Sequence, residues 1–120
     1  MKKIAIIEDD AAIAQMYKIK LESAGYDVRM AKNGALGYEL IQEFVPDMVL
    51  LDLMMPEMTG DQMLEKIRAH DWGKNLKVIV MTNVSPDEAK PKVAHLGVHE
   101  FIVKANTTPR QVLEIVQKSL

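Results

Sequence analysis

Residues 4–10 read Ile4-Ala5-Ile6-Ile7-Glu8-Asp9-Asp10, four apolar residues followed by three acids. An unbroken apolar run of this length suits a strand covered on both faces, as in a parallel sheet between helices. A second run, Met48-Val49-Leu50-Leu51, ends in the same way, on Asp52. If the two are neighbouring parallel strands, their carboxylates converge at one end of the sheet. Like charges held there raise one another's pKa unless a cation compensates.

Outward from these runs, strand-like and helix-like segments alternate. Strands are predicted over Lys3 to Ile7, Asp27 to Ala31, Met48 to Leu51, Lys77 to Met81 and Glu100 to Val103. The first helical face carries Ile13, Met16, Tyr17, Leu21 and Ala24 and stops at Gly25. The second carries Leu36, Leu40, Ile41 and Phe44 before Pro46, and the third Met63, Leu64 and Ile67. A weaker fourth runs from about Pro86 to Leu96 and ends at Gly97; Pro91 inside it removes a backbone donor and should kink or shorten it. The fifth opens on Thr108-Pro109, a cap followed by proline, and carries Val112, Leu113, Ile115, Val116 and Leu120.

Five strand–helix units predict a doubly wound α/β sandwich with a parallel sheet. The polar–apolar alternation of Asp27-Val28-Arg29-Met30 suits an edge strand. Short connections and the right-handed crossover rule then favour strand order 2-1-3-4-5. Its reversal point lies between strands one and three, where such sheets form their binding crevice. Asp9 and Asp52 meet there. Thr82 and Lys104 end two further strand-like runs and bring a hydroxyl and an ammonium to the same sheet end.

The 120 residues suit one domain, and 48 % hydrophobic composition supplies a core. A net charge of -2 with dispersed basic residues gives no argument for nucleic-acid binding. Without cysteine there is no disulfide, thiolate nucleophile or cysteine-ligated metal. No apolar stretch reaches transmembrane length, and the run after Lys3 is too short for a secretory signal, so an intracellular protein is expected. His70, His95 and His99 lack zinc-site spacing. A hard divalent ion such as Mg²⁺, which takes few carboxylates plus water and phosphate oxygens, suits the acids better. Phosphoryl chemistry needs an in-line nucleophile and neutralised equatorial oxygens. Asp52 is the candidate nucleophile, Glu8 and Asp9 the metal ligands, Lys104 the counter-charge and Thr82 a hydrogen-bond donor. Asp10 is read mainly as the cap of the first helix.

At these residues the chain resembles the receiver domains of bacterial two-component response regulators. The likeness covers essentially residues 1–120: Glu8-Asp9-Asp10, Leu51-Asp52-Leu53-Met54-Met55-Pro56, Gly60, Thr82, Phe101 and Lys104 stand in the family's order. It implies a flavodoxin-like receiver fold in the cytoplasm, one domain from Met1 to Leu120. It also implies Mg²⁺-dependent transfer from a phosphohistidine, on a sensor kinase or phosphotransfer protein, to Asp52, with Mn²⁺ able to substitute for Mg²⁺. By the same likeness Asp9 is the direct acidic ligand, Glu8 acts through metal-bound water, Met54 lends its backbone carbonyl and Asp10 is the auxiliary acid. Lys104 contacts the phosphoryl group, and Thr82 and Phe101 form the switch pair that reshapes helix four, strand five and helix five. The implied output is a downstream protein or a linked output domain, with no nucleic-acid contact by the domain itself; phosphorylation-dependent homodimerisation through that face is left open. Self-phosphorylation and self-dephosphorylation are expected, without classical turnover.

The sequence departs from the family's pattern in places. Ala105 follows Lys104 where the family usually has proline after a cis bond, and Asn83 is larger than usual and expected to crowd Asp52. Met54 and Val84, apolar at two positions that govern phosphate loss, predict slow self-dephosphorylation. Most methionines are expected to fill the core, with Met55, Met58 and Met63 as a lesser candidate for a partner contact. Trp72 reads as a partly exposed packing anchor, and Lys90, Lys92, His95 and Lys104 as local positive character. Two rival readings remain: a structural pseudo-receiver that binds partners without phosphorylation, and a haloacid-dehalogenase-type phosphohydrolase. The second needs an acid two residues after the nucleophile, where Met54 stands.

Overall fold

Five strands form one parallel sheet in the order β2-β1-β3-β4-β5, the order the connections predict. They are β1 (Lys3–Ile7), β2 (Asp27–Ala31), β3 (Met48–Asp52), β4 (Lys77–Thr82) and β5 (Glu100–Val103). The helices between and after them are α1 (Ala11–Ser23), α2 (Gly34–Phe44), α3 (Gly60–Arg68), α4 (Pro86–Val93) and α5 (Pro109–Ser119). The computed structural model describes residues 1–55, 58–83 and 85–120. Pro56 of the acid-loop motif and Val84 therefore lie outside the described residues.

Strand alternation divides the interior into two layers. Ala5, Ile7, Val49, Leu51, Val78 and Val80 pack with the inner faces of α2, α3 and α4. Ile4, Ile6, Met48, Leu50, Ile79 and Met81 pack with those of α1 and α5. β3 and β4 each run one residue beyond their apolar stretch, so Asp52 and Thr82 are held by strand backbone rather than by loop.

Several face assignments need correction. The buried face of α1 is Ala14, Tyr17 and Leu21. Met16 sits about 100° around the helix from Tyr17 and is exposed, as is Ala24. On α2, Leu36 is exposed while Gly34 and Gly37 are buried. Gly37 lets the helix approach β1: a Cβ there would meet Ile7 Cγ2 at 2.8 Å and Met63 Sδ at 2.9 Å. Hydrophobic periodicity registers large side chains, so it passes over such contacts. Val45 ends α2 with φ 51° and is exposed to solvent, a position where a β-branched residue costs about 1–2 kcal/mol.

α4 is eight residues long, followed by a 3-10 turn over Ala94–Leu96 that Gly97 closes at φ 70°. The helix thus stops two residues after Pro91, as its missing donor predicts. Of the nine methionines, only Met48, Met55, Met63 and Met81 are buried; Met1, Met16, Met30 and Met54 are exposed. With Met58 packed against the core, five of the nine sit in or on it, a narrow majority. Met55 and Met63 belong to the core, which removes the suggested partner contact from those two, while Met58 is half-buried and packs against it.

Candidate functional site

The C-terminal ends of β1, β3, β4 and β5 bring the site together. Glu8, the residue after β1, is 2 % exposed, and its N–H donates to Ala31 O at 3.0 Å. Its carboxylate accepts from Asp10 N–H at 3.4 Å and from the Lys104 ammonium. Asp10 caps α1: its Oδ1 accepts from Ala12 N–H at 3.0 Å and Ile13 N–H at 3.1 Å. The capping role is the one its sequence position suggests. Asp9 is exposed at the rim.

Asp52 is 4 % exposed at the end of β3. Its Oδ1 accepts from Met54 N–H at 3.1 Å, and its Oδ2 lies 3.2 Å from Lys104 Nζ. The amide of Met54 is what touches Asp52; its side chain turns to solvent. Behind the carboxylate, Gly60 N–H donates to Leu53 O at 3.1 Å. A Cβ on Gly60 would lie 2.3 Å from Asp52 O, so only glycine lets α3 start this close.

Glu8, Asp9 and Asp52 each offer a carboxylate oxygen within 4.8 Å of the others. They open on a hollow of about 270 Å³ that Met54, Asn83 and Lys104 also line. Asn83 therefore borders the entrance, where it was expected. Burial pushes the Glu8 carboxyl up to about 7, and Asp52 beside it pushes the same way against the Lys104 ammonium. For Asp9 slight burial acts upward, but hydrogen bonds involving Glu8 and Asp52 outweigh it and hold the group below its ordinary value. Burial alone would lower Lys104, yet its bond to Glu8 and the charge of Asp52 raise it. The donor set is all hard oxygen, three carboxylates deep, with one ammonium against them. That chemistry fits Mg²⁺ or Mn²⁺.

Thr82 is buried at the end of β4. Val80 pairs with Phe101 and Thr82 with Val103, so Thr82 and Phe101 share the sheet face that α3 and α4 cover. Phe101 is half-buried, with Lys90 Nζ 5.8 Å from its ring centroid. Lys104 follows β5 in a 3-10 turn over Lys104–Asn106, and no cis peptide bond occurs among the described residues. Lys104 is thus an interior group of the site. Lys90, Lys92 and His95 are surface residues, and His95 faces Glu65 at 3.4 Å.

Two clusters escaped sequence reasoning. Arg68 at the end of α3 donates to Leu96 O and Gly73 O at 2.6 Å, Leu76 O at 2.8 Å and Gly97 O at 3.0 Å. A basic residue in a last helical turn, here with Lys66 beside it, looks like a solvated end, and nothing nearby in sequence signals those carbonyls. Tyr38 Oη lies 2.6 Å from His70 Nε2, and His70 stacks on Trp72 at 4.9 Å. Trp72 is thus the half-exposed anchor expected.

With fold and site in place, the family is plain. The chain belongs to the response regulator receiver domain family, whose sequence model matches residues 4–117. It is 33 % identical over 104 residues to the DNA-binding dual master transcriptional regulator RpaA of Synechocystis, covering 87 % of this chain and 43 % of RpaA. To the transcriptional regulatory protein SrrA of Staphylococcus aureus it is 33 % identical, covering 92 % of this chain and 44 % of SrrA. The chain thus spans less than half the length of these relatives. Its fold is similar to that of the chemotaxis response regulator CheY4 of Vibrio cholerae, with TM-score 0.92 and 28 % identity over 100 % of this chain and 99 % of that one. No helix among the described residues is long and apolar enough to cross a membrane.

Proposed function

We propose that residues 1–120 form one phospho-accepting receiver domain, in which Asp52 takes a phosphoryl group from a phosphohistidine. The observation that carries this reading is the position of Lys104 Nζ, 3.2 Å from Asp52 Oδ2, beside three carboxylates grouped within 4.8 Å. An Oδ of Asp52 attacks phosphorus in line, the P–N bond to the donor imidazole breaks, and the freed nitrogen takes up a proton. Lys104 pairs with one equatorial oxygen and Thr82 donates to another. Asp9, Asp52, the Met54 carbonyl and, through water, Glu8 would hold Mg²⁺ or Mn²⁺, which when bound neutralises charge on the phosphoryl oxygens. Asp10 contributes chiefly by capping α1.

The acyl phosphate then acts as a switch. It draws Thr82 toward Asp52, and Phe101, on the same sheet face, turns into the space released. The surface of α4, β5 and α5 changes with it and is read by a downstream protein, a linked output domain or a second copy. The donor is a sensor histidine kinase or phosphotransfer protein, and the setting is the cytoplasm. Self-phosphorylation and slow self-dephosphorylation go with this role, rather than classical turnover.

The test is incubation with acetyl phosphate and Mg²⁺, followed by mass measurement of wild type and Asp52→Ala. A single phosphate adduct on wild type, absent from D52A and reduced by chelation, is the expected result. Equal adducts on both proteins would refute Asp52 as acceptor. No adduct on wild type, even from a panel of phosphohistidine donors, would leave a pseudo-receiver as the better reading.

A further inference from the structure

Among the described residues β2 is an open edge, paired in the sheet with β1 alone. Its hydrogen bonds define which backbone groups turn outward. Asp27 N–H donates to Lys2 O at 2.9 Å and Ala31 O accepts from Glu8 N–H at 3.0 Å. The odd-numbered residues of β2 therefore turn both polar groups to β1, and alternation directs the N–H and C=O of Val28 and Met30 away from the sheet. Such an edge is a template for another strand.

The side chains along it are patterned. Asp27 and Arg29 share the sheet face of Phe44, whose ring centroid lies 4.6 Å from the Arg29 guanidinium carbon. Between α1 and α2 the edge borders a hollow of about 430 Å³ whose apolar wall is Ala11, Ala14, Met30, Leu36 and Leu40, with Glu8, Lys32, Glu39 and Glu43 also lining it. Met30 and Leu36 are exposed. An uncovered apolar wall beside an open edge is a surface suited to burial.

We propose that β2 is a self-association surface, on which a second copy of this chain pairs antiparallel about a two-fold axis through Val28. Outward groups must face outward groups, so the axis must pass through a residue rather than between two. Through Arg29 it would set two guanidinium groups opposite each other, which is destabilising. Through Met30 it would set Arg29 against Ala31 of the partner subunit and Asp27 against Asn33 of the partner subunit, leaving both charges unmatched. Through Val28 it sets Asp27 of each copy against Arg29 of the partner subunit, giving two reciprocal ion pairs. That register also pairs Val28 with its equivalent and brings Met30 N–H to the Tyr26 carbonyl. The Tyr26 N–H is already turned inward, to Leu21 O at 3.3 Å.

Charge thus selects both the partner and the register, and other alignments are disfavoured by unmatched or like charges. Helices do not obstruct the approach. α1 and α2 each pack on β1 and β2, so at about 4.8 Å per strand their equivalents in the second copy run about 10 Å away. That matches the 8–10 Å of direct helix contact, so each helix meets its equivalent side by side rather than clashing with it. The Asp52 site, at the ends of β1 and β3, stays open.

Sedimentation equilibrium up to millimolar concentration tests this on the wild-type chain, Asp27→Arg, Arg29→Asp and the double exchange. Wild type and the double exchange are expected to dimerise, each single variant at least tenfold more weakly. An equimolar mixture of the two single variants should form a heterodimer, because every Arg then faces an Asp. That restoration also shows that both variants fold. A wild type that stays monomeric, single variants that dimerise like wild type, or a mixture that does not associate overturns the proposal.

Discussion

Lys104 Nζ lies 3.2 Å from Asp52 Oδ2 and also pairs with Glu8, so a single cation bridges the ends of β1 and β3. The two carboxylates are almost fully buried. Without the ammonium they would face each other at low dielectric, which neither tolerates in its ionised form. Lys104 therefore has a structural task as well as the chemical one proposed for it.

Replacing Lys104 separates these tasks. Lys104→Met leaves Glu8 and Asp52 uncompensated, and losing one partner of a buried ion pair costs about 3–5 kcal/mol. The loss should be large at pH 8 and smaller at pH 5, where Glu8 takes up a proton and relieves the repulsion. Urea unfolding at the two pH values measures it. Phosphorylation by acetyl phosphate should slow by about 10²–10³-fold, the usual effect of removing one charge-stabilising donor. A variant equally stable at both pH values would show that Lys104 does not compensate the acids.

Glu8 gives the proposed metal site a pH dependence. Its folded pKa of about 7 stands above its ordinary 4.5, so between those values the metal-free fold binds more protons than the unfolded chain. From this group alone, stability falls as pH rises through that window. Asp9, held low, stays ionised throughout. A divalent ion held beside Glu8 through water would favour its ionised form and release the proton, so Mg²⁺ affinity should weaken as pH falls below about 7, by up to about tenfold per unit. Calorimetric titrations at pH 6 and 8, in buffers of differing ionisation enthalpy, report both the affinity and the released proton. Glu8→Gln should flatten the dependence; an unchanged slope would assign the proton elsewhere.

The sheet was legible in the sequence because its signal is local. Apolar runs bounded by Asp52 and Thr82 mark strands, and the alternation around Arg29 marks an edge. The acid cluster was legible for the same reason: the strand ends fix where Glu8, Asp9, Asp52 and Lys104 fall. What stayed hidden depends on distance in space. Gly37 packs by having no side chain, and Arg68 spends its charge on carbonyls from three later segments. The lysine's dual pairing also escaped, since no spacing distinguishes a strand-end ammonium that joins two acids from one reaching a phosphate.

The lifetime of the proposed acyl phosphate depends on the side chain at position 54, which with Asn83 borders Asp52. The Met54 side chain is 57 % exposed at the mouth of the site and has no group able to orient an attacking water. Purified phosphoprotein in Mg²⁺ should therefore lose phosphate over minutes or longer. Met54→Asn, which supplies an amide at the same mouth, should shorten that lifetime several-fold. Timed mass measurement follows both, and decay of wild type within a few seconds would sink the expectation.

Arg68 presents the clearest stability test away from the acids. Its guanidinium donates to Leu96, Gly97, Gly73, Lys74 and Leu76 carbonyls, tying the turn after α4 to the entry of β4. Burial lowers its pKa, yet an arginine stays protonated at any pH the fold survives. Arg68→Met keeps much of the apolar stem and strands these carbonyls, and each buried unsatisfied group costs about 1–3 kcal/mol. With solvent reaching some of them, a loss of about 3 kcal/mol and a fall in Tm of about 10 °C are expected. Arg68→Lys should recover only part of this, because an ammonium has three donors and no planar fork. Thermal unfolding of the three proteins decides it. If R68M melts with wild type, those hydrogen bonds are exchanged for water at no net cost, and the turn after α4 is held by Val93 and Leu96 packing instead.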